Sequence, residues 1–124
     1  MDMKKKRKWE EEKRDKKKWV HVADIETLDC VESIDKYGKD IDIVIISWPY
    51  MDSHAYNTIK QLHRVNPKAL IVYIGEGCGG CTANDDFFHH FKEITDDDLF
   101  NNISANFEQW DGLHDYVALG KYKK

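Results

Sequence analysis

Residues 41–50 read IDIVIISWPY, and this stretch decides the fold. Ile41 to Ser47 is an almost continuous β-branched run that turns abruptly polar and aromatic at Ser47-Trp48-Pro49-Tyr50. β-Branched side chains are stiff at χ1 and pack well on a pleated surface. A run with so little polar alternation is what a strand covered on both faces looks like. A second such run, ALIVYIG, spans Ala69 to Gly75. Between the two, DSHAYNTIKQLHRVNP puts Tyr56, Ile59, Leu62 and Val65 on one helical stripe and stops before Pro67. Strand, helix, strand is a parallel unit with a right-handed crossover.

Working outward, IETLDCVESIDKYG (25–38) spaces Ile25, Leu28, Val31 and Ile34 as a helix, with Gly38 as its stop. WVHVAD (19–24) reads as a short strand that would flank 41–47. On the other side, a Gly-rich loop from Gly75 to Gly80 leads into NDDFFHHFKEI, a helix anchored by Phe87, Phe88 and Phe91. DDDLFNNI reads as a further helical turn. ANFEQW and HDYVALGKY read as two strands closing in a hairpin at Asp111 to Leu113. The expected fold is α/β: a three-layer sandwich with a mostly parallel sheet of about five strands and a C-terminal antiparallel hairpin. The strands at 41–47 and 69–75 would be central. Residues 1–18 form a charged tail and 19–124 one domain.

With 124 residues the chain can bury a single core. Charged residues make up 34% of it and mean hydropathy is −0.70. No apolar run approaches the roughly 20 residues of a membrane span, and no apolar segment follows the N-terminal lysines. The expectation is an intracellular protein, cytoplasmic or nuclear, without a membrane role. Three cysteines, an odd number, suit a reduced compartment. Residues 1–18 carry ten Lys/Arg and five Asp/Glu, whereas the rest carries nine and eighteen. The basic tail reads as a solvated extension, or as a phosphate-seeking arm or import signal built on KKKRK (Lys4 to Lys8). The acidic body argues against tight DNA binding by its own charge, and nucleic acid stays an open partner.

In open α/β sheets ligands sit at the carboxyl ends of the strands, which is where SWPY falls. Pro49 has no N–H, Trp48 and Tyr50 can stack on a planar group, and Ser47 can hydrogen bond. The bland reading is a strand terminus whose aromatics cap the core. Gly75, Gly77 and Gly80 satisfy Gly-x-Gly-x-x-Gly, which can cradle phosphate. The acids Glu76, Asp85 and Asp86 oppose that reading. Cys78 and Cys81 form C-x-x-C, open to a redox dithiol, to a zinc site with His89, His90 or His114, or to no role. His114-Asp115 could be a hydrogen-bonded pair.

SWPY resembles motif IV of class I S-adenosylmethionine-dependent methyltransferases, Asp/Asn/Ser-Pro-Pro-aromatic in those that act on exocyclic amino groups. The resemblance continues in YIGEGCGGCTANDDFF (73–88), similar to a set of methyltransferase-like proteins with Ser-Trp-Pro-Pro after one strand and Gly-Glu-Gly-x-Gly-Gly-Cys-Thr-Ala after the next. It covers roughly 19–122, where the reversed last strand of that fold is also expected. It implies Ser47 and Pro49 as catalytic positions, and Trp48, Tyr50 and Glu76 as substrate contacts. Trp48 stands where the motif has its first proline. The cofactor implied is S-adenosylmethionine, yet nothing before Ile41 resembles the family's Gly-rich turn or cofactor-binding acid. No residue is therefore assigned to the cofactor, and no metal site is expected. The resemblance implies the second half of a methyltransferase-like domain, not active alone. A homodimer or a complementing chain is expected at the open sheet edge. The alternatives are a non-catalytic interaction module or degenerate remnant, and a C-x-x-C redox or metal-binding protein.

Overall fold

The computed structural model describes residues 24–124. The charged tail at 1–18 and the strand expected at 19–23 lie outside the described residues.

The first element is helix α1, Cys30–Tyr37, started by Asp29, whose carboxylate accepts from the amides of Val31 and Glu32. A short 3₁₀ turn, Gly38–Asp40, leads into strand β1, Ile43–Ser47. Helix α2, His54–Val65, follows and ends at Asn66, before Pro67. Strand β2 is Leu70–Gly75 and helix α3 is Asp85–His90. Then come strand β3 (Phe91–Glu93), helix α4 (Asp98–Asn106) and strand β4 (Tyr116–Tyr122).

The sheet order is β1-β2-β4-β3. β1 and β2 are parallel, from Ile43 opposite Leu70 to Ser47 opposite Ile74. β4 is antiparallel to both β2 and β3. Three strands therefore point one way, and the last strand of the chain is reversed and inserted between two of them. The core lies on the face covered by α1, α2 and α3. There Ile34, Ile59, Leu62, Ile71, Tyr73, Phe87, Phe91 and Ala118 form one buried cluster. On the opposite face α4 packs against β4, and Leu99, Ile103 and Phe107 line an apolar cleft with Ile43, Ile45, Val72, Ile74 and Val117. The chain is thus α/β with helices on both faces. α4 leaves β1 partly uncovered, and Ile45 is 67% exposed.

Three expectations are corrected. The hairpin around Asp111 to Leu113 does not form. Ala105 and Asn106 complete α4, and 107–115 is a loop, so ANFEQW contributes no strand. The antiparallel partner comes from within the stretch read as one helix. α3 stops at His90, Phe91 turns extended (φ −104°, ψ 110°), and Phe91 pairs with Tyr122. The sheet has four strands among the described residues, with one parallel and two antiparallel neighbouring pairs. β2 is central, whereas β1 is an edge strand among the described residues. No helix among them is long and apolar enough to cross a membrane.

Candidate functional site

The carboxyl ends of β1 and β2 and the start of β4 meet at one end of the sheet. The ladder runs one residue past β1: the Trp48 amide donates to the Ile74 carbonyl at 2.7 Å. Trp48 then adopts φ +47°. A left-handed conformation at a bulky residue is uncommon and costs about 1–2 kcal/mol. It sends the chain away from the sheet at Pro49, whose carbonyl accepts from the Ala83 amide at 3.3 Å. The turn thereby leans on the Gly-rich loop.

The indole N–H of Trp48 donates to Oδ2 of Asp115 at 3.3 Å, across 67 positions in the chain. Asp115 immediately precedes β4 and is only 6% exposed. Its backbone carbonyl accepts from the Gln109 amide at 2.7 Å. Its other carboxylate oxygen, Oδ1, is buried without a protein partner among the described residues. The carboxylate of the expected His114-Asp115 pair thus meets Trp48, and His114 is exposed.

The Gly-rich loop folds back on itself. Tyr73 is fully buried, and its hydroxyl meets Thr82 Oγ1 and the Glu76 carbonyl, both at 2.5 Å. The Glu76 amide donates to Thr82 Oγ1 at 2.8 Å. The three groups form a closed cluster: the Glu76 amide donates to Thr82 Oγ1, the Glu76 carbonyl accepts from the hydroxyl side, and the Tyr73 and Thr82 hydroxyls share a hydrogen bond. Burial pushes the Tyr73 phenol up from its ordinary range, and the Glu76 charge adds to that against the Thr82 hydrogen bond. A Cβ on Gly75 would stand 2.6 Å from the Tyr73 hydroxyl and 2.7 Å from Thr82 Oγ1. That glycine is required for the loop to close over Tyr73. The phosphate-cradle reading loses its physical basis, because this close approach is spent on the loop's own side chains.

The site residues expected from the sequence separate into two sets. Trp48 and Pro49 are tied into the fold, to Ile74, Asp115 and Ala83, and the Glu76 backbone is tied to Tyr73 and Thr82. Ser47 and Tyr50 point outward, and Tyr50 is 82% exposed, free to stack on a ligand but packed on nothing. Asp115 is the functional candidate that spacing did not reveal, since its link to Trp48 exists only once β4 lies beside β2.

Cys78 and Cys81 are free, exposed thiols. Partial desolvation and the Asp85 carboxylate, 3.6 Å away, hold the Cys78 thiol above its ordinary range. That opposes the thiolate a redox dithiol needs. His90 stacks on Tyr56 and Tyr122, with ring centroids 4.9 and 5.5 Å away, which makes it a packing residue. Among the described residues no group of three or more His, Cys, Asp or Glu side chains could hold a metal ion.

A cavity of about 620 Å³ opens along the β1 edge and runs up to Pro49 and Tyr50. Leu28, Ile34, Val44 and Ile46 make it apolar. Its polar side chains are already used locally. Asp29 caps α1, the Ser33 hydroxyl donates to the Asp29 carbonyl at 3.0 Å, and the Thr58 hydroxyl donates to the His54 carbonyl at 2.7 Å.

No protein-family model, no curated protein and no solved structure matches this chain.

Proposed function

We propose that this chain carries the substrate side of a class I S-adenosylmethionine-dependent methyltransferase-like domain and does not transfer methyl groups by itself. One observation carries the reading. The last strand is reversed and inserted between two strands that point the other way, with SWPY at the carboxyl end of β1 and GEG at that of β2. That is the order in which the resembling family sets its substrate-gripping turn. Ser47 and Tyr50 are then the exposed hydrogen-bonding and stacking groups, with Trp48, Pro49 and Glu76 as the rigid frame behind them.

The residues described here do not fit S-adenosylmethionine. A ribose diol needs a free carboxylate, and an amino-acid carboxylate needs unpaired amides. The cavity beside the turn is mostly apolar, and the side chains of Asp29, Ser33 and Thr58 in its lining are committed to α1 and α2. The turn departs from the family pattern in the same direction. Proline holds φ near −65°, so Trp48 at +47° follows a path that Pro-Pro cannot take. The chain is accordingly a binding element, whose donor side comes from residues outside 24–124 or from another chain seated on the open β1 edge.

Calorimetric titration of the full chain with S-adenosylmethionine and S-adenosylhomocysteine tests this. No binding is expected from the chain alone. Co-expression with an upstream segment bearing Gly-x-Gly after a strand is expected to restore it. Binding by the chain alone tighter than about 100 μM, lost in Ser47→Ala or Tyr50→Ala, would mean that the cleft is complete and the half-domain reading is wrong.

A further inference from the structure

The proposed grip leaves open what it grips, and Asp115 bears on that. An ionised carboxylate accepts hydrogen bonds and donates none. Burying one without full pairing is costly unless a donor or a positive charge completes it. Asp115 is 6% exposed, with Oδ2 on the Trp48 indole and Oδ1 without a partner among the described residues. The bond to Trp48 is long at 3.3 Å, and it is held by a residue in a strained backbone conformation. Strain of this kind gathers where a ligand is met.

The surroundings of Asp115 select the sign of the ligand. Segments 47–53, 75–86 and 107–116 form this end of the sheet. They hold one, three and three carboxylates respectively, and no Lys or Arg. A phosphate-bearing ligand meets only repulsion there. Three large aromatics in the same segments are exposed: Trp48 by 40%, Tyr50 by 82% and Trp110 by 77%. Carboxylates with exposed rings suit a cation that is also flat. Guanidinium fits better than ammonium, since it is planar, weakly hydrated, stacks on aromatic faces and pairs with a carboxylate through two N–H groups.

We propose that the tip binds a guanidinium group, with Asp115 as its anionic acceptor and Trp48 as the ring that covers it. The ligand takes the place of the Trp48 indole N–H, and the released ring lies over the guanidinium plane. This rests on the substrate-side reading above and names its ligand class.

The test uses the full chain labelled with ¹⁵N, the Trp48 indole N–H signal as readout, and two probes. Nα-acetyl-arginine amide carries the guanidinium, and Nα-acetyl-citrulline amide is its neutral isostere. A Gly-Gly-Arg-Gly-Gly peptide asks whether the group is preferred within a chain. The arginine probes are expected to shift the Trp48 signal while citrulline leaves it unmoved. Asp115→Asn is expected to weaken binding by about thirtyfold or more, as loss of one partner of a desolvated charge pair does. A dispersed spectrum checks that this variant folds, and Trp48→Phe, which keeps an aromatic ring but removes the indole N–H, is expected to keep binding as read by calorimetry with the arginine peptide. Equal binding of citrulline, or affinity unchanged in Asp115→Asn, overturns the assignment. If binding survives Asp115→Asn but is lost in Tyr50→Ala, the assignment fails while the grip stands. No binding by any probe overturns the guanidinium assignment, and calorimetry with S-adenosylmethionine judges the half-domain reading separately.

Discussion

Trp48 concentrates the departure of this chain from the pattern it resembles. Its backbone is left-handed, its amide is used by the sheet and its indole by Asp115. Placing the proline of the resembling motif here with Trp48→Pro removes all three features at once. The ring fixes φ near −65°, deletes the donor to Ile74 and removes the indole donor to Asp115 Oδ2. A loss of about 3 kcal/mol or more is expected in urea unfolding. An unchanged midpoint would show that the turn is free to take the Pro-Pro path. The identities that make this turn are legible in SWPY, but the sign of φ is not. Trp in the left-handed region is a minority state that nothing local favours. It is imposed by the bond to Ile74 on one side and the hydrogen bond to Asp115, just before β4, on the other.

At the level of elements, hydrophobic period located β1, α2 and β2, because each carries its own signal: the IVIIS run, the Ile59–Leu62 stripe, the LIVYI run. It started α1 too early: Ile25 and Leu28 lie before the helix, which begins at Cys30 where Asp29 caps it. It failed at β3. Phe87, Phe88 and Phe91 sit at helical spacing, and a reading of period continues the helix through Phe91. The switch to strand is made by β4, whose edge away from β2 must be paired, and Phe91–Glu93 is the segment it captures. ANFEQW went the other way, its first two residues completing a helix begun by the Asp97 cap. Gly120 permits the β3 pairing. A Cβ there would stand 2.4 Å from the Lys92 carbonyl and 2.7 Å from the Phe91 ring. Gly120→Ala is expected to push β3 off the sheet at a cost of about 1–3 kcal/mol. Amide exchange reads this at Ile94, whose N–H donates to the Leu119 carbonyl at 2.7 Å. Protection of Ile94 unchanged in the variant would refute it.

For the whole molecule, the consequence of the topology is an asymmetric sheet. One face is sealed by three helices, while β1 shows Ile45 to solvent beside an apolar cavity at its edge. A buried-type strand left at an edge invites another chain. Light scattering is expected to show association that grows with concentration and disappears in Ile45→Lys, which puts a charge on that edge; a clean monomer at high concentration would refute edge pairing. Sequence alone determined that the chain is α/β, because periods of 2 and 3.6 are local properties of successive side chains. It also determined that SWPY ends a strand, and that the body around it is acidic. The tertiary structure alone decided that β4 lies between β2 and β3, and that Asp115 sits against Trp48 with one oxygen buried and without a partner among the described residues. Partners so far apart in the chain are selected by which edges and faces must be covered, and that demand exists only once the sheet has assembled.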